Sequence, residues 1–107
     1  MSKLNRSALE KIAANFRALS EPTRLAILQE LKAGPRTVNE LVEALSLSQA
    51  NVSKQLSVLK DAGFLEREQR GTQAFYSISD SMVMELCALV CERLNRQALA
   101  KVETFAI

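Results

Sequence analysis

The spacing of apolar positions changes period once along the chain. From Ser7 to Leu19, residues Leu9, Ile12, Ala13, Phe16 and Leu19 recur at helical spacing. Ser20-Glu21-Pro22 marks a restart, with Ser20 suited to an N-cap and Pro22 to a first turn. Leu25, Leu28 and Leu31 then form the inward stripe of a second helix reaching about Ala33, where Gly34-Pro35 ends it. Thr37-Val38-Asn39-Glu40 is a capping box that opens a short helix to about Leu45, with Leu41 and Leu45 inside. Across Ser46-Leu47-Ser48, Ser48 caps a fourth helix from Gln49 to about Ala62, and Gly63 closes it. The pattern then turns to strands at Phe64–Glu68 and Ala74–Ser79, with the polar, glycine-containing Gln69–Gln73 between them as a hairpin loop. Ser79 and Asp80 can cap a last helix to roughly Ala100. The predicted fold is mainly α with a small β-hairpin: four helices, two strands, one helix.

Two short helices across a three-residue link, followed at once by a hairpin, form the helix-turn-helix and wing of a DNA-binding fold. The whole of 1–107 is read as one such winged domain. On the wheel of the fourth helix, Val52, Leu56 and Leu59 share one stripe and must face the core. The opposite side carries Ala50, Lys54 and Ser57, flanked by Asn51, Ser53 and Gln55. Amides can pair with adenine edges, and Lys54 can reach guanine or a phosphate. No acid interrupts Gln49 to Lys60, and a helix N-terminus itself favours phosphate. The candidate contacts on this unit are Thr37, Ser48, Gln49, Asn51, Ser53, Lys54, Gln55 and Ser57; those on the wing are Arg67, Arg70, Thr72 and Gln73. Arg70, beside Gly71, is the residue expected to enter a minor groove. The plainer alternatives are a solvated polar helix face and an ordinary charged hairpin tip.

Composition permits this function without demanding it. The formal net charge is +2 and the pI near 8.7, so the chain is only mildly basic, and Glu66 and Glu68 dilute the field of the wing. Apolar residues make up 48%, enough for a packed core, whereas aromatics at 5% argue against base stacking as the means of binding. There is no histidine, no glycine-rich phosphate loop and no nucleophile–base set, so an enzyme is not expected. No apolar run is long enough for a membrane span and the first residues lack a signal-peptide core, which points to the cytoplasm. In that compartment the two cysteines are expected as thiols.

Phe16–Leu28 (FRALSEPTRLAIL) resembles the opening motif of the ArsR/SmtB repressors. Leu47–Leu56 (LSQANVSKQL) and Leu59–Leu65 (LKDAGFL) are similar to their recognition helix and its exit, and Arg70–Ile78 (RGTQAFYSI) to their wing. The resemblance spans about Ala14 to Leu94. It implies a prokaryotic homodimer that represses by binding imperfectly palindromic duplex DNA and lets go when an effector binds or a thiol reacts. It also implies dimerisation through the two terminal helices, here about 7–19 and 80–100. The residues agree: the last helix is apolar nearly all round, from Met82 and Val83 to Leu94, and one of its faces needs a partner.

The metal sites that the resemblance implies, and the second-helix thiol of the family's persulfide sensors, are not matched. Thr37–Glu43 holds no thiol, the last helix has no histidine, the recognition helix has no cysteine, and neither does Ala26–Lys32. No cofactor or metal is therefore expected. Cys87 and Cys91, four apart on one helical face, remain as a possible thiol sensor or soft-metal site, against the alternative that they only fill space. The rival function is a winged domain that contacts proteins and not DNA.

Overall fold

The computed structural model describes residues 3–98 and 105–107. Its elements are α1 (Arg6–Ala18), α2 (Pro22–Leu31), β1 (Arg36–Thr37), α3 (Val38–Leu45), α4 (Gln49–Asp61), β2 (Leu65–Arg70), β3 (Gln73–Ile78) and α5 (Met82–Gln97). Each boundary has a local cause. Asn5 caps α1 by accepting from the Ala8 amide at 2.8 Å. Glu21, and not Ser20, caps α2; the Ser20 hydroxyl instead donates back to the Arg17 carbonyl at 2.7 Å. The α3 capping box is complete, with Thr37 Oγ1 accepting from the Glu40 amide at 3.2 Å and Glu40 Oε1 from the Thr37 amide at 2.9 Å. That amide contact is what holds the Glu40 carboxyl below its usual range. Ser48 caps α4 as expected, at 3.1 Å from the Asn51 amide.

The exit of α4 is a Schellman motif. Gly63, at φ +88°, sends its amide to the Lys60 carbonyl (2.9 Å), while the Phe64 amide reaches Leu59 (3.0 Å). Phe64 and Leu59 then meet in the core, which sets the direction in which the chain enters β2. At the head of α5, Asp80 Oδ1 accepts from the Met82 amide at 2.9 Å, whereas Ser79 ties its hydroxyl to the Gly63 carbonyl. Leu99 and Ala100, to which the last helix was expected to run, lie outside the described residues.

Where two strands were predicted, the sheet has three, antiparallel in the order β1-β3-β2. The two residues of β1 pair with Tyr76 and Phe75. They are too few to show an alternating pattern; the extended backbone that Thr37 needs as an N-cap serves as the strand. The hairpin is also tighter than expected. Arg70 pairs with Gln73, leaving only Gly71 and Thr72 to turn. Positive φ at Gly71 alone is the sign pattern of a type II′ turn.

The core is built from α2, α3, α4 and the base of the ribbon: Ile27, Leu28, Leu41, Val52, Leu56 and Leu59 are fully enclosed, with Leu65 beside them. The terminal helices contribute little to it, Ala18 from α1 and Val83 from α5. A radius of gyration of 15.8 Å exceeds the roughly 13 Å of a compact chain of this length, because those helices extend past the core. Leu9, Ile12 and Phe16 on α1 and Met82, Leu89 and Val90 on α5 are exposed as a result. Among the described residues no helix is long and apolar enough to cross a membrane.

Candidate nucleic-acid interface

Burial of Val52, Leu56 and Leu59 fixes the rotation of α4, so its other side must face out. Ser48, Gln49, Ala50, Ser53, Lys54 and Ser57 are all exposed there, and Asn51 is half-buried at the edge. The link before α4 is held by Ser46, which adopts the left-handed conformation at φ 54°. That sharp bend, with Leu47 turned half inward, brings α3 behind α4 and leaves the first turn of α4 leading.

Two of the expected contacts are not available as such. Thr37 is buried, and its hydroxyl is committed to the capping box. Capping α3 and pairing with Phe75 in the sheet leave it only 7% exposed, beside the Glu40 and Glu43 carboxylates that repel a phosphate. Gln55 is also buried, at 9% exposure, because position 55 follows Asn51 by four and rotates toward α2. There its Oε1 accepts from Arg24 Nη1 at 2.7 Å, and its Nε2 donates to Asn51 Oδ1 at 3.1 Å. Arg24 also donates to the Ala18 carbonyl at 2.7 Å and the Arg17 carbonyl at 3.2 Å. Nothing in the local sequence marks Arg24 as a neighbour of Gln55, 31 positions away.

On the wing, Arg67, Arg70, Thr72 and Gln73 are all exposed, but they do not form one surface. Side chains alternate along β2, so Arg67 and Arg70, three apart, project from opposite faces. Arg67 shares the face of buried Leu65 and donates to the side-chain oxygen of Gln69 at 3.0 Å, with no acid paired to it among the described residues. Arg70 shares the face of Glu68 and Phe75. It donates to Glu68 Oε2 at 3.2 Å and lies 4.8 Å above the Phe75 ring. The Arg70 contact holds the Glu68 carboxyl below its usual range. The groove beside this face is lined by Glu40 and Glu43 as well as Gln73 and Phe75. Arg70 is thus a partly neutralised cation on an acid-flanked side, and Arg67 is the less encumbered one. Sequence reasoning missed the Glu68 clamp, although an acid and a base two apart on a strand always share a face.

The cysteines do lie together. Cys87 and Cys91 line an apolar groove between α1, α2 and α5, of about 300 Å³, with Phe16, Leu19, Leu25 and Leu94. Burial, and then the neighbouring Cys91, push the Cys87 thiol up. A raised thiol holds a smaller thiolate fraction, which disfavours nucleophilic attack. Among the described residues no group of three or more His, Cys, Asp or Glu side chains is arranged to hold a metal ion.

Residues 19–68, the whole helix-turn-helix unit, match the model of a helix-turn-helix domain family. The transcriptional regulator NmtR of Mycobacterium tuberculosis is 37% identical over 83 residues, which cover 78% of this chain and 69% of that protein. Among solved structures, M. tuberculosis Rv0081 superposes with a TM-score of 0.82 at 31% identity, over 92% of this chain and all of that one. The homodimeric winged helix-turn-helix domain of Mb0332 from Mycobacterium bovis, described as a possible ArsR-family regulator, superposes at 0.79 with 27% identity, over 98% of this chain and 100% of that one.

Proposed function

Because the chain belongs to the ArsR/SmtB family of winged helix-turn-helix regulators, we propose that it is a homodimeric repressor that reads duplex DNA with α4 and steadies it with the wing. The observation that carries this reading is the outer side of α4. It is exposed, free of acids from Gln49 to Lys60, and offers short hydroxyls, amides and one cation around a helix N-terminus. Gln49, Ser53 and Lys54 face the base edges, with Ser48 and Ser57 toward the flanking phosphates. Thr72, Gln73 and Arg67 meet the backbone beyond, and Arg70 joins them once it leaves Glu68.

The exposed apolar faces of α1 and α5 support a two-fold dimer through those helices. Such a dimer sets two copies of α4 about one turn of DNA apart, roughly 34–36 Å, and so calls for a two-fold operator. The relatives are regulators, and the role proposed here is likewise binding and not catalysis. The burial of Cys87 supports a packing role for the thiol pair over metal or thiol sensing.

The test is a titration of the protein against the duplex upstream of its own coding region, at several salt concentrations. Specific binding that weakens linearly in log–log salt dependence supports the reading. A folded dimer that shifts no duplex even at low salt would refute it in favour of a protein-contact module.

A further inference from the structure

The hydrogen-bond chain from α1 to α4 has a fixed direction. A guanidinium has donors and no acceptor, so whichever amide atom of Gln55 faces Arg24 Nη1 must be the oxygen. The nitrogen of Gln55 is thereby turned to Asn51, and it needs an acceptor there, so the atom of Asn51 that meets it must be Oδ1. Arg24 itself is oriented by two carbonyls at the end of α1, those of Ala18 and Arg17. The orientation of an amide at the edge of the recognition helix is therefore dictated by a residue of α2. Among the described residues Asn51 Nδ2 meets no partner inside the protein, and no buried side-chain nitrogen or oxygen is left unpaired, so this NH2 group is open to the outside.

We propose that Arg24, acting through Gln55, makes Asn51 a hydrogen-bond donor toward DNA, and that Asn51 selects an acceptor atom on a base edge. This rests on the reading that α4 enters the major groove. The acceptors available there are guanine O6 and N7, adenine N7 and thymine O4, and cytosine offers only a donor. A freely rotating asparagine can present either end of its amide; this one presents the NH2 end, with its rotamer already fixed before DNA arrives. Arg24 and Gln55 are positioning residues in this scheme, and Asn51 is the reader.

The experiment selects bound sequences from a pool of randomised duplexes, using the intact chain and its variants. Asn51→Ala first identifies the base position concerned: preference there should flatten, with affinity for the favoured duplex down about 10-fold. Gln55→Glu then tests the direction. The new carboxylate still accepts from Arg24 but cannot donate to Asn51, so the asparagine amide turns over and presents Oδ1 outward. Preference at that position should move toward cytosine, which offers only a donor and which the unaltered protein rejects, while a merely structural change would lower affinity for all sequences alike. Asn51→Asp serves as a second variant should Gln55→Glu fold poorly. It can still accept from Gln55 but has no donor left, and it should lose the same preference as Asn51→Ala. If Asn51→Ala leaves the preference intact, or lowers affinity uniformly as a phosphate contact would, the proposal is overturned. Unchanged preference in Gln55→Glu also overturns it. If the unaltered protein selects nothing from the pool, the failure lies with DNA binding itself.

Discussion

Phe16→Ala isolates the dimer from the fold. Phe16 lies on α1 with 61% of its surface exposed in the single chain, while the only buried residue of that helix is Ala18. A phenylalanine of about 200 Å² has some 120 Å² available for a partner at that exposure. At about 25 cal/mol per Å² this amounts to about 3 kcal/mol, of which about 2 is lost on truncation to alanine. A two-fold interface counts the residue twice, giving about 4 kcal/mol per dimer, or roughly a thousandfold in the dimer dissociation constant. Sedimentation equilibrium measures that constant directly, and circular dichroism with thermal melting at low concentration checks the monomer. We expect unchanged helicity, a dimer that dissociates in the micromolar range or above, and DNA binding that becomes steeply dependent on protein concentration. A dimer constant within threefold of the parent would refute the assignment of α1 to the interface. Loss of helicity in the variant would show instead that Phe16 supports its own subunit.

Four further outcomes follow from the same geometry. Lys54→Ala and Gln49→Ala should each weaken specific binding by about 1–3 kcal/mol in a competition gel shift while leaving non-specific binding of Gln49→Ala unchanged. Glu68→Gln removes the acid that holds Arg70, so DNA affinity should rise and the salt dependence steepen toward one extra phosphate contact per subunit, whereas Arg67→Ala should flatten it by about one. Thr37→Ala breaks the capping box and should cost about 0.5–2 kcal/mol in urea unfolding, with sequence preference unaltered because Thr37 is buried. Cys87 has a thiol raised above its ordinary value of 9.0, so the folded state keeps a proton that the unfolded chain gives up. Stability should be level below about pH 9 and fall above it, less so in Cys87→Ala, and Cys91 should react with a thiol reagent before Cys87.

Local chemistry made most of the architecture legible from residues alone. The capping box at Thr37, the Ser48 cap, the glycine after α4 and the stripe of Val52, Leu56 and Leu59 each act over a few positions, and each is found where it was expected. The same stripe was enough to say which side of α4 looks outward. What failed were readings of polar residues whose partners lie elsewhere, some distant in sequence and some, like Glu68 for Arg70 and Glu21 at the head of α2, only a residue or two away. Thr37 and Gln55 look like surface polar groups until α2 and β3 are brought against them, and β1 exists only because β3 arrives beside it. The hydrophobic pattern records burial, but a polar residue does not record which neighbour will satisfy it, since amides, hydroxyls and guanidinium groups pair with many kinds of partner. The sequence by itself therefore determined the helices, the two strands of the hairpin, their order and the outward face of the recognition helix. Only the tertiary structure decided which polar side chains remain free for DNA, because that depends on hydrogen bonds closed across the fold.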